Sequence, residues 1–177
     1  DPLVAELWDQ YGFGRDLLVA PIIREDETSR TVYLPKGRWW HLFDAKWFEH
    51  GTHEIAAGLE DIPVFVRQGA LIPLDFDGEL RLGAAMPSGI EKPDDIVLLI
   101  VGRPEGACVY RGVNGRGEVQ IVHNKDGSVD VQTQGMMPKR CTIVFSDTPD
   151  SVSLNGKPLS KQWVTVCATP LCAVFLK

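Results

Sequence analysis

Along residues 1–11, Leu3, Leu7, Trp8 and Tyr11 recur at spacings of three and four, the period of one helix face. Asp1 suits an N-cap, Pro2 suits the first helical position, and Gly12 and Gly14 supply a stop. The spacing predicts one short helix over residues 1–11 with a bulky apolar stripe that needs a surface to pack against. From Asp16 onward the period changes. Residues 17–23 form a continuous apolar run closed by the charged stretch 24–27, and residues 30–34 are followed by Pro35-Lys36-Gly37, a turn signal. Residues 38–43 are aromatic-rich, as strands tend to be. Residues 62–66 and 70–74 are short apolar runs separated by a turn at Gly69. Short strands punctuated by Gly and Pro predict a sandwich.

Residues 75–95 break this rhythm with Gly78, Gly83, Pro87, Gly89 and Pro93 among the acidic Asp75, Asp77, Asp94 and Asp95, which places a domain boundary there. A second strand series opens with residues 96–101, all apolar, the pattern of a buried central strand. Residues 119–122, 129–133, 141–145, 163–167 and 173–176 continue it. Asn155-Gly156 sits between two short runs and predicts a hairpin, because a type I′ turn needs positive φ at both central positions. The pattern predicts an all-β chain: two small antiparallel β-sandwich modules preceded by one short helix.

Composition narrows the classes of partner. The 177 residues carry a formal net charge of −6. Lys and Arg are not clustered, so nucleic acid is not an expected partner. No apolar run approaches the ~18–20 residues that span a bilayer, so no membrane partner is expected either. Cys108, Cys141, Cys167 and Cys172 stand in apolar or strand-like surroundings without a C-x-x-C pair. They read as buried free thiols, which favours a cytoplasmic, reducing compartment.

Candidate chemistry is sparse. Glu25-Asp26-Glu27, Glu60-Asp61 and Asp94-Asp95 are the densest carboxylates, and all lie in polar, loop-like stretches that give no reason for a shifted pKa. His50 and His53 have no further ligand near them in sequence, so no metal site is expected. Residues 112–117 hold three glycines but open no helix, and read as a hairpin loop rather than a phosphate cradle. No catalytic residue and no cofactor is assigned. The aromatic cluster Trp39, Trp40, Phe43, Trp47 and Phe48 has two readings, core packing or a sugar-stacking platform. Strand alternation puts Trp39 inside the sandwich and Trp40 outside, so Trp40 and Trp47 are the sugar-binding candidates.

Three segments carry a family resemblance: DPLVAELWDQYGFGRDLLVAPII (1–23), RTVYLPKGRWWHLFDAK (30–46) and LEDIPVFVRQGALIPL (59–74). In this order they resemble the junction and proximal C-terminal sandwich of glycoside hydrolase family 31, the retaining α-glucosidase and α-xylosidase type. Asp1-Pro2, Asp9-Gln10, Phe13-Gly14 and the run from Asp16 to Pro21 match that family's junction motifs. SVSLNGKPL (151–159) resembles a hairpin of the distal C-terminal sandwich. Tyr110-Arg111-Gly112 departs from the family's acidic stretch after the tyrosine, and His41 stands where Asp is frequent.

The resemblance implies that residues 1–14 end a catalytic-barrel region, 15–78 form the proximal β-sandwich and 79–177 the distal one. It also implies that both catalytic carboxylates lie on a (β/α)8 barrel upstream of Asp1 and fall on no residue here. The expected role is then non-catalytic: to pack on and stabilise the enzyme's own barrel, with homo-oligomer contacts and carbohydrate as further partners. The alternative is a free-standing carbohydrate-binding or interaction β-sandwich module. An unrelated immunoglobulin-like pair fits less well, lacking the Cys…Trp…Cys spacing.

Overall fold

The protein is described from a computed structural model. It covers residues 4, 7–74, 95–104, 107–111, 117–135, 140–159, 164–166 and 171–176; at 95, 96, 140, 164–166 and 171–176 only the backbone is described. The chain divides into two compact units, Asp1–Gln68 and Gly69–Lys177.

The first unit is one five-stranded antiparallel sheet. Its strands are β1 (Tyr11–Phe13), β2 (Leu17–Val19), β3 (Ser29–His41), β4 (Trp47–Ala56) and β5 (Val64–Arg67), in the order β1-β2-β5-β3-β4. The predicted helix is corrected over residues 7–11, while Val4 closes a 3-10 turn in which Leu7 N donates to Val4 O at 3.2 Å. Tyr11 belongs to a strand, residues 7–10 are irregular, and residues 1–3 and 5–6 lie outside the described residues. Gly12 and Gly14 serve the β1–β2 hairpin rather than a helix stop, and Gly14 turns the chain at φ 66°.

The Pro35-Lys36-Gly37 turn is a second correction. Residues on both sides of it belong to a single strand, and the register against β4 shifts between Leu34 and Arg38. Pro35 has no N–H to give the ladder, and Gly37 adopts φ 126°, so the three residues form a bulge instead of a reversal. The bulge resets the side-chain phase, so Leu34 before it and Trp39 after it both reach the core. Before it, β3 pairs only with β4; after it, β3 also pairs with β5 through Trp39, Trp40 and His41. The core therefore joins Val32, Leu34 and Ile55 from the first half to Leu18, Trp39 and Phe65 from the second. Each large side chain so enclosed contributes about 1.5–3 kcal/mol.

The second unit is a sandwich of two five-stranded sheets. One has the order β14-β15-β11-β7-β6: β6 (Leu71–Leu74), β7 (Asp95–Ile100), β11 (Arg140–Phe145), β14 (Val164–Val166) and β15 (Leu171–Leu176). The other has the order β13-β12-β10-β9-β8: β8 (Ala107–Arg111), β9 (Gly117–His123), β10 (Ser128–Gly135), β12 (Ser151–Leu154) and β13 (Lys157–Pro158). Leu98, Ile100, Ile143 and Phe145 of the first meet Val119, Ile121, Val129, Val131 and Val152 of the second in one core.

The all-apolar run at 96–101 is the expected central strand: β7 lies between β6 and β11, with Leu98, Leu99 and Ile100 buried. Asn155 and Gly156 take φ of 50° and 77° in the β12–β13 hairpin, as the type I′ reading requires. The sheets are not wholly antiparallel, because β7 and β11 pair in parallel, as do β10 and β12. Nor does the run 70–74 end the first unit: β6 pairs with β7, so the division falls at Gln68/Gly69. The segment 75–94, where composition placed the boundary, lies outside the described residues.

Candidate functional site

The β3 strand that carries the first unit's core also anchors the chain entering it. Arg30, Val32 and Leu34 alternate onto the buried face, which puts a guanidinium where a core residue is expected. Its side chain is 5% exposed, and Nη2 lies 2.9 Å from Asp9 Oδ2 in an ion pair without hydrogen-bond alignment. Nη1 donates to the carbonyl oxygens of Asp9, at 2.8 Å, and of Pro21. One residue on, the Gln10 carboxamide pairs with Tyr33 as a peptide group would: Nε2 donates to Tyr33 O at 2.7 Å and Oε1 accepts from Tyr33 N at 2.9 Å. Asp9-Gln10 thus clamps the incoming segment along β3.

Beside this clamp the segment presents large apolar side chains to solvent: Leu7, Trp8 (79% exposed), Tyr11 and Phe13 (65%). Trp8 and Ile23 line an open groove of about 330 Å³, whose polar wall includes Arg24, Glu27, Arg30 and Glu54. Glu54 is held by Ser29 and by Thr31, at 3.1 Å for the latter.

The sugar-binding candidates sit differently from expectation. Trp39 lies in the core; its Nε1 donates to Pro35 O at 2.8 Å, and Arg67 Cζ stands 4.5 Å from the ring centroid. Trp40 does point to the opposite face, opposite Val66 and Trp47 in the ladder, but it is 1% exposed. Both faces of the sheet are closed at this point, so Trp40 has no ring face to offer a pyranose. Trp47 is half-buried, and Arg38 Cζ lies 4.8 Å over its ring while Arg38 Nε holds Glu49 at 2.8 Å.

His41 completes this corner. Its Nδ1 accepts from Asp44 N at 3.1 Å, which leaves the proton on Nε2, and Nε2 is buried without a hydrogen-bond partner. Phe65 meets the ring edge-on at 4.9 Å. Burial holds the imidazole's pKa below its usual value; Asp44 pulls it up and Lys46 pushes it down.

The remaining polar groups read as structure. His53 contacts Glu49 O at 2.8 Å and packs on Phe48. Asp126 and Asp130 are held below the usual carboxylate range, Asp126 first by its hydrogen bond from Ser128 and Asp130 first by that from Ser153, the opposite of what a general acid needs. Among the described residues no three His, Cys, Asp or Glu converge as metal ligands. Burial pushes the Cys141 thiol up to about 11, and the Cys108 thiol donates to Gly69 O at 3.3 Å. Cys167 and the side chain of Cys172 lie outside the described residues.

Residues 1–72 match the model of the glycosyl hydrolase family 31 C-terminal domain. The isomaltosyltransferase of Sporosarcina globispora is 26% identical over 161 residues, 88% of this chain and 14% of the relative. Alpha-glucosidase 2 of Bacillus thermoamyloliquefaciens is 37% identical over 82 residues, 46% of this chain and 10% of the relative. The cycloalternan-forming enzyme from Listeria monocytogenes, solved with a pentasaccharide substrate, superposes over 99% of this chain and 18% of its own, with a TM-score of 0.83 and 26% identity. The family match rests on residues 1–72, where the fold is β-rich as in that C-terminal domain, and the chain spans less than a fifth of each of these relatives.

Proposed function

We propose that the chain is the non-catalytic C-terminal region of a retaining α-glycosidase, and that its first unit packs on the enzyme's catalytic barrel and stabilises it. The supporting observation is the clamp: Arg30 and Gln10 fix a segment whose Leu7, Trp8, Tyr11 and Phe13 face solvent. Fixing such side chains lowers the entropy lost when a second surface covers them. Retaining hydrolysis needs two carboxyl groups about 5–5.5 Å apart, one with a raised pKa. In this reading the barrel supplies both, and the relatives' activities on α-linked sugars carry over to the whole enzyme.

Two measurements test the proposal. The chain alone should release no aryl alcohol from aryl α-glucosides or α-xylosides, and turnover by clean protein would refute the non-catalytic role. Trp8→Asp should leave the isolated chain's stability within about 0.5 kcal/mol, as exposed substitutions do. In the full-length enzyme the same change should destabilise by about 2 kcal/mol, the value of one large buried side chain. Equal, negligible effects in both settings would remove the docking role.

A further inference from the structure

The outer face of the β8–β9–β10–β12 sheet holds an open groove of about 310 Å³ lined by Glu118, Gln120, Gln132, Thr133, Gln134 and Asn155. Its make-up follows from register. Val119, Ile121, Val129 and Val131 alternate inward to the core, so Glu118, Gln120, Gln132 and Gln134 alternate outward. Gln120 stands directly opposite Gln132, and Glu118 opposite Gln134, which sets four side chains in a square on two neighbouring strands. One end is fixed by Asn155: its Oδ1 accepts from Thr133 N at 2.9 Å and its Nδ2 donates to Thr133 Oγ1 at 3.0 Å. The other side is fixed by Arg111, whose Nε donates to Glu118 Oε2 at 3.0 Å. Among the described residues no hydrogen bond occupies the carboxamides of Gln120, Gln132 and Gln134.

We propose that this groove binds a neutral glycan, a short α-linked oligosaccharide, by hydrogen bonds from the three glutamines. The occupant is selected by elimination and by match. Among the described lining residues the one carboxylate is paired with Arg111, which leaves no free cation for a phosphate and too few carboxylates for a metal ion. A peptide adding as a strand needs a sheet edge, and β9 and β10 are interior strands with both edges paired. A carboxamide offers two donors and one acceptor oxygen, which suits adjacent sugar hydroxyls that both donate and accept. Three such groups project from two paired strands, so the backbone is already in place and only their side chains are ordered on binding. The volume is at the small end of ligand sites, the scale of one or two sugar rings. With no aromatic ring among the described lining residues, binding is weak and led by hydrogen bonds, on the order of millimolar.

That an oligosaccharide is at hand rests on the glycosidase reading above, but the groove's chemistry does not. The test is therefore a binding measurement on the 177-residue chain, independent of turnover and of barrel docking. Maltotriose is titrated into isotope-labelled protein while amide shifts are followed. Saturable shifts at Gln120, Gln132 and Gln134, weakened about five- to tenfold in Gln132→Ala and lost in Gln120→Ala/Gln132→Ala, support the site. These outward residues leave the core untouched, and unchanged shifts elsewhere confirm folding in each variant. No shift in the millimolar range, or shifts of equal affinity in the double variant, overturns it. Either failure leaves the Trp8→Asp comparison standing on its own.

Discussion

Replacing Arg30 by Met tests whether the buried guanidinium, rather than apolar packing alone, holds the entering segment. Methionine matches much of the aliphatic length and leaves no unpaired charge in the core. What is lost is the ion pair with Asp9, at 2.9 Å, and the donations to the Asp9 and Pro21 carbonyls. Hydrogen bonds from a charged donor contribute about 1.5–3 kcal/mol each, and an orphaned buried acceptor costs about 1–3 kcal/mol. Asp9's side chain is 32% exposed, so water recovers part of the loss at its carboxylate. Methionine's packing offsets a further part.

The net expectation is a loss of about 2–3 kcal/mol from the first unit. Four of the five tryptophans, Trp8, Trp39, Trp40 and Trp47, lie in that unit, so intrinsic fluorescence in urea reports its transition. With a slope near 1 kcal/mol/M for a unit of this size, the midpoint should fall by about 2–3 M. Asp9→Asn separates charge from geometry: the backbone acceptor stays, and the loss should stay below about 1 kcal/mol. A midpoint for Arg30→Met within 0.5 M of the parent (about 0.5 kcal/mol at the same slope) would refute the reasoning and reduce the clamp to a passive contact.

Trp39→Ala should cost about 3–5 kcal/mol and Trp39→Phe about a third of that, because Phe keeps the core volume and loses the donation to Pro35 O; a thermal midpoint unmoved by the Ala change would displace Trp39 from the core. Gly127→Ala should destabilise the second unit for two separable reasons. Gly127 has φ 86°, and an added Cβ would collide with the Asp150 carboxylate. Asp150→Ala in the same chain should relieve the collision and leave about 1 kcal/mol of backbone strain, while a double variant no better than the single would contradict this division. His41 and His123 both have pKa values lowered chiefly by burial, so the fold favours their neutral forms. Their stabilising contribution is full above the unfolded value near 6.5 and is lost as pH falls through the folded values. Chemical denaturation at pH 7.5 and at pH 5 should therefore show lower stability at pH 5, with a smaller difference in His41→Phe; a flat pH dependence would sink the assignment.

Much of this fold is legible because its core obeys simple alternation. The run at 96–101 could only be an interior strand, and Asn155-Gly156 could only turn, because each pattern has one physical use. β4 was not legible. It is an edge strand, most of its side chains meet water, and Gly51 interrupts it, so nothing in 47–56 alternates by polarity. The predicted helix does not extend over residues 7–11 for a related reason. Spacings of three and four predict a helix only where the apolar stripe is what the fold buries, and here Trp8 and Tyr11 are left outside while the polar Asp9 and Gln10 are drawn in. The clamp did leave one mark in the sequence: Arg30 is in phase with Val32 and Leu34, and a cation in core phase demands a buried partner.

The same logic explains why the two candidate surfaces differ in visibility. An apolar surface waiting for a partner looks, in sequence, like an ordinary buried face, so Leu7, Trp8 and Tyr11 read as a core stripe until the fold shows them uncovered. A polar groove looks like an ordinary solvated face, and Gln120, Gln132 and Gln134 become a group only when the β9–β10 register sets Gln120 against Gln132 and Glu118 against Gln134. In both cases polarity pattern gives the face on which a residue lies but not what that face meets. The family match over residues 1–72 includes the clamp's Asp9-Gln10 pair but not the β9–β10 groove, so the groove is decided by its carboxamides alone.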